Sequence, residues 1–120
     1  MYLPNHFEVR EKKALNDKAR YEEDFSNMYS LLLGLLSTSS ILPKHSLDYN
    51  KITLKFDVDN KLLQVMLADL YGVYTYVNYA SINDVVTLNL SSWTTYSEIY
   101  RLANAIRETY FRLKKMLKTT

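Results

Sequence analysis

Few places in this chain could do chemistry. They are two histidines, one acidic run, one acidic alternation, one hydroxyl cluster and a pair of strand tyrosines. His6 and His45 lie far apart, both in loop-like stretches and without a carboxylate at ligand spacing on a helix. A zinc site needs three or four convergent ligands, so both read as exposed loop histidines. Asp57-Val58-Asp59-Asn60-Lys61 begins like a calcium loop. The sixth position, however, is Leu62 rather than Gly and the twelfth is Ala68 rather than Glu. Asp57 then reads as the wet face of a strand and Asp59 as a helix N-cap. Glu22-Glu23-Asp24 places three carboxylates in different directions around a helix. Acid–base catalysis instead needs two held across a pocket, one of them desolvated. Ser37-Thr38-Ser39-Ser40 has hydroxyls but no neighbouring base. With 2 Gly in the chain, no phosphate-cradling glycine loop can be built. The residues therefore nominate no catalytic, cofactor-binding or metal site.

Tyr74 and Tyr76 carry more weight, because they stand two apart on one face of a strand. Aromatics on a sheet beside cations can stack bases, but the same residues are good strand formers. Packing or a protein contact is the favoured reading, and nucleic acid is disfavoured. Net charge is only +2, too small for electrostatic steering by itself. Charge is nevertheless uneven. Arg101, Arg107, Arg112, Lys114, Lys115 and Lys118 face only Glu98 and Glu108 near the chain end.

These residues must be positioned by one domain, 1–120, with 1–15 read as an N-terminal arm or an early helix start. The absence of Cys excludes disulfides and thiolate chemistry, and a cytoplasmic location is the expectation. The longest apolar run, Leu31–Leu36, is too short to span a membrane. Tyr21, Phe25, Met28, Leu32 and Leu35 or Leu36 recur at helical steps and predict a helix over about residues 8–37. Alternation over 51–58 predicts a half-buried strand. A short helix follows, capped by Asp59 or Asn60, buried through Leu62 or Leu63, Met66 and Leu70, and closed by Gly72. Strands over 73–79 and 86–90 form an antiparallel hairpin. Thr95-x-x-Glu98 is a capping box opening a helix whose stripe is Ile99, Leu102, Ile106, Tyr110, Leu113 and Leu117. The expected fold is α+β, a two-layer sandwich of order α-β-α-β-β-α. Its three-stranded, mainly antiparallel sheet carries helices on one face.

Three stretches resemble the C-terminal small domain of class V aminotransferases, the cysteine desulfurase-like branch of fold-type I PLP enzymes. They are KARYEEDFSNMYSLLLGLLSTSSI, ITLKFDVDNKLLQVMLADLYGVYTYV and VVTLNLSSWTTYSEIYRLANAIRE. The resemblance implies the α/β order above and an association with PLP chemistry. The lysine that binds PLP in such enzymes belongs to a large domain for which this chain is too short. Thr87 stands where the resemblance places a carboxylate-gripping Arg, and the desulfurase Cys has no counterpart. The expectation is thus a non-catalytic stand-alone domain, without cofactor, acting by protein contact or self-association as a homodimer. Phe7, Tyr21, Phe25, Met28, Tyr74 and Tyr76 are its candidate interface. The alternatives are a subunit of a split enzyme beside a separate PLP-binding chain, and a small nucleic-acid binder using the basic last helix and the Tyr-rich strand.

Overall fold

The computed structural model describes residues 6–72, 78–79 and 84–118, and the side chains of 20–72 and 84–116. The elements run α1 (His6–Ser37), β1 (Lys44–Asp48), β2 (Lys51–Lys55), α2 (Asn60–Tyr71), β3 (Asn78–Tyr79), β4 (Val86–Asn89) and α3 (Tyr96–Lys118). The fold is α+β, as the patterning implies. The helices and the antiparallel strands stand in the expected sequence, with one strand more, β1, placed ahead of β2; of the strand expected over 73–79, β3 is Asn78–Tyr79, and 73–77 lie outside the described residues. The sheet order is β1-β2-β4-β3 and every neighbouring pair is antiparallel. His45 accordingly lies in a strand rather than a loop, opposite Leu54.

Alternation makes β2 one-sided. Ile52 and Leu54 are fully buried while Lys51 and Lys55 are exposed. On β4, Val86 and Leu88 stand opposite Leu54 and Ile52 and complete the inner face. Helices cover that face. From α1 come Phe25, Met28, Leu32 and Leu36, from α2 Leu63 and Leu67, and from α3 Ile99, Leu102, Ile106 and Leu113. Burial of each such side chain contributes about 1.5–3 kcal/mol. The stripe of α3 falls where its spacing puts it at Ile99, Leu102, Ile106 and Leu113, with Tyr110 half-buried, and the side chain of Leu117 lies outside the described residues. That of α2 is rotated. Leu63 and Leu67 are buried, Met66 is half-buried and Leu70 is 53% exposed, because α2 lies against both α3 and β4.

The caps follow local chemistry. Asp59 accepts from the Leu62 amide at 3.1 Å, and Gly72 ends α2 with a left-handed φ of 56°. Asn60 is not the cap but a buried brace. Its side chain receives the Phe56 amide and donates to the Phe56 and Val58 carbonyls, fixing the turn out of β2. Thr95 accepts from the Glu98 amide at 3.3 Å at the start of α3. β1 and β2 join through Tyr49-Asn50. There Tyr49 takes a φ of 54°, its ring edge-on to Phe25 at 5.3 Å. Among the described residues, no helix is long and apolar enough to cross a membrane.

Candidate interaction surface on the last helix

The residues nominated as an interface fall in three places. Phe25 and Met28, each 4% exposed, belong to the domain's own core, and Tyr21 is half-buried against it. A helical stripe of that composition satisfies a partner or a core equally well, and the sheet takes it. The backbone of Phe7 is helical within α1, and its side chain lies outside the described residues, as do Tyr74 and Tyr76 altogether.

A different surface carries the exposed aromatics. Trp93 is 77% exposed, Tyr96 42%, Tyr100 56% and Phe111 47%. At 100° per residue, Tyr96, Tyr100, Arg107 and Phe111 lie within an arc of about 60° on α3. That arc begins beside the buried Ala103 and turns away from Leu102. Trp93 extends it beyond the helix start and is held there by a tight turn. The Ser91 amide donates to Thr94 Oγ1 at 2.9 Å, the Thr94 amide to the Ser91 carbonyl at 3.0 Å, and the Trp93 amide to Ser91 Oγ at 3.2 Å. Thr94 is buried beneath, so the turn turns its indole outward.

Two adjoining grooves flank this stripe where the end of α1 meets α3. One, of about 210 Å³, lies between Leu35, Thr38 and Ser39 of α1 and Tyr100, Asn104 and Arg107 of α3. The other, of about 660 Å³, runs from Ser39, Arg107 and Glu108 past Phe111 to Arg112 and Lys115. Arg107 stands between them, its guanidinium donating to Asn104 Oδ1 at 2.5 Å. Arg101, Arg107, Arg112 and Lys115 are all exposed, against Glu98 and Glu108. The surface combines rigid aromatics with cations, the residue types enriched where contact energy concentrates. A second periodicity, 96-100-107-111 alongside the core stripe, was the sequence signal for it.

A cluster with perturbed titration lies elsewhere on α3. Tyr110 donates to Asp57 Oδ1 at 2.7 Å and Lys114 to Asp57 Oδ2 at 2.5 Å. The Lys114 hydrogen bond, followed by that from Tyr110, holds the Asp57 carboxyl below the usual carboxylate range. Burial, with the bond to Asp57, pushes the Tyr110 phenol up, and the bond to Asp57 raises Lys114. A catalytic lysine or tyrosine needs the opposite direction, towards a reactive unprotonated form at neutral pH. All three shifts fix the resting charges, so this is an ion pair tying the β2 exit to α3.

The other singled-out groups are used locally. Asp59 caps α2, and the hydroxyls of Ser37 and Thr38 donate to the Gly34 and Leu35 carbonyls of their own helix. Glu22 and Glu23 are exposed on α1. The Tyr29 hydroxyl meets His45 Nδ1 and ties α1 to β1. Among the described residues, no three His, Cys, Asp or Glu side chains converge as a metal site. Thr87, at the position of the expected arginine, is 3% exposed. No family model matches this chain, and neither a curated protein nor a solved structure matches it.

Proposed function

We propose that this chain is a non-catalytic interaction domain and that the outer face of α3 is its contact surface, directed at an acidic segment of another protein. The single observation that carries the reading is the Trp93–Tyr96–Tyr100–Arg107–Phe111 stripe. It is exposed along a helix whose opposite side is fully packed. Scattered exposed hydrophobics need no explanation, but a continuous row beside grooves does. The cations around it select the partner's charge. In a two-fold pairing of this face with itself the excess of cations over Glu98 and Glu108 would be doubled across the contact, so an acidic partner is the better complement. A domain derived from an aminotransferase small domain without that family's lysine, cysteine and arginine would likewise act by contact.

The test compares capture on the immobilised wild-type domain with capture on a Tyr100→Ala/Arg107→Glu variant. Both positions are exposed, so the variant keeps its melting temperature. An acidic protein retained by the wild type, lost by the variant and released by moderate salt supports the reading. Equal capture by both, or capture of nucleic acid alone, overturns it.

A further inference from the structure

We propose that the open end of the β1–β2 hairpin is a binding site for a small phosphomonoester, held by Lys44 and Lys55. The hairpin ladder is matched at one end and mismatched at the other. Next to its turn, Asp48 pairs with Lys51, opposite charges directly across the strands. At its open end, Lys44 pairs with Lys55, like charges directly across. Cross-strand partners share one face with their Cβ atoms about 5 Å apart, where like charges destabilise the pair. Both lysines are exposed, and neither has an ion-pair or hydrogen-bond partner among the described residues. A dianion between the two ammonium groups would turn this repulsion into attraction, and lysine binds phosphate as a point charge.

The lysines do not stand on an open plain. They border a cleft of about 520 Å³, in the size range of small-ligand sites. One wall is the connection from α1, with Leu42 and Pro43. The other is the β2 exit at Phe56 and Asp57, braced by the buried Asn60, and Tyr110 closes the side towards α3. The charge along the cleft is graded. Asp57 is already neutralised by Lys114 and hydrogen-bonded by Tyr110, whereas the lysine end is uncompensated. A carboxylate has about four acceptor sites, so Asp57 retains capacity for a hydroxyl or amine of the ligand. The favoured ligand carries a phosphate at one end, hydrogen-bond donors at the other and a body that lies against Leu42 and Pro43. A nucleoside monophosphate is a suitable probe. This site is separate from the outer face of α3 and does not depend on the function proposed for that face.

Backbone amide shifts of the full chain report the test, titrated with adenosine monophosphate, adenosine and inorganic phosphate at constant ionic strength. The expected result is saturable shifts at 40–42, 44 and 55–57 with the monophosphate, weaker ones with inorganic phosphate and none with the nucleoside. A Lys44→Gln/Lys55→Gln variant should weaken binding at least about tenfold. Without ligand the same variant should melt no lower than the wild type, because it removes a like-charge pair. Three results would each overturn the site. They are no saturable shift up to about 10 mM monophosphate, equal shifts in wild type and variant, or equal responses to monophosphate and nucleoside.

Discussion

Asn60 shows how one side chain decides local structure. It is fully buried and makes three hydrogen bonds to the backbone of the β2 exit. Asn60→Ala leaves the Phe56 amide and two carbonyls without those partners. Each unsatisfied buried group costs about 1–3 kcal/mol. We expect a loss of about 2–4 kcal/mol in denaturant unfolding, larger than Asp59→Ala, where only a cap worth about 1 kcal/mol is removed. The opposite order of the two losses would show that Asn60 is replaceable by water. Asp57 gives a pH signature. Its carboxyl is held below its ordinary range in the folded chain. Its contribution is therefore present above the unfolded value, about pH 4, and is lost as pH falls through the folded value. Lys114 is raised, so its share is complete below its unfolded value, about pH 10.4, and is lost as pH rises beyond it. Asp57→Asn should flatten the acid limb of stability against pH and leave the region between nearly parallel to wild type. Asp57 is exposed and Lys114 partly so, and solvent screens the pair, so the effect is small. An unchanged acid limb in the variant would assign that limb to other carboxylates.

At the scale of elements, α3 is the best-determined part of the chain. Leu102 and Ile106 are fully buried in the middle of its stripe. Leu102→Ala or Ile106→Ala should cost about 2–5 kcal/mol through the cavity left behind. Thr95→Ala should cost about 1 kcal/mol, because it removes one cap bond. Chemical denaturation of the three variants checks the order, and a Thr95 loss above both core truncations would contradict the packing described. Helices were legible in this sequence because a period near 3.6 needs only one chain's residues to be seen. The caps Asp59, Thr95 and Gly72 were legible for the same reason, each being chemistry within four residues. β1 was not. Lys44-His45-Ser46-Leu47-Asp48 has one apolar residue, as befits an edge strand, so no alternation marks it. Its pairing is visible only once β2 stands beside it. The candidate site was legible by half. The basic bias of α3 is plain in the composition. Which of its aromatics face solvent depends on where the core lies, and the Lys44–Lys55 pair depends on the register of β1.

At the scale of the molecule, the question is what the exposed surface permits. The stripe of α1 that was free to serve a partner, Phe25 and Met28 above all, is closed inside the domain. The outer face of α3 is open and carries more cations than carboxylates, an excess that a copy of itself would double and an acidic partner would offset. These two facts weigh against self-association and for a partner of opposite charge. The two modes have opposite salt dependences. Capture of an acidic segment weakens as salt screens the attraction, whereas pairing of two like-charged aromatic faces strengthens as salt screens the repulsion. Light scattering from micromolar to sub-millimolar protein at low salt should therefore give a constant mass near 14.1 kDa. A doubled mass at low salt would overturn the expectation of a monomer. The first half of α1 would then be the place to substitute. Its backbone is helical from His6, and Phe7→Asp would be the variant expected to separate the copies.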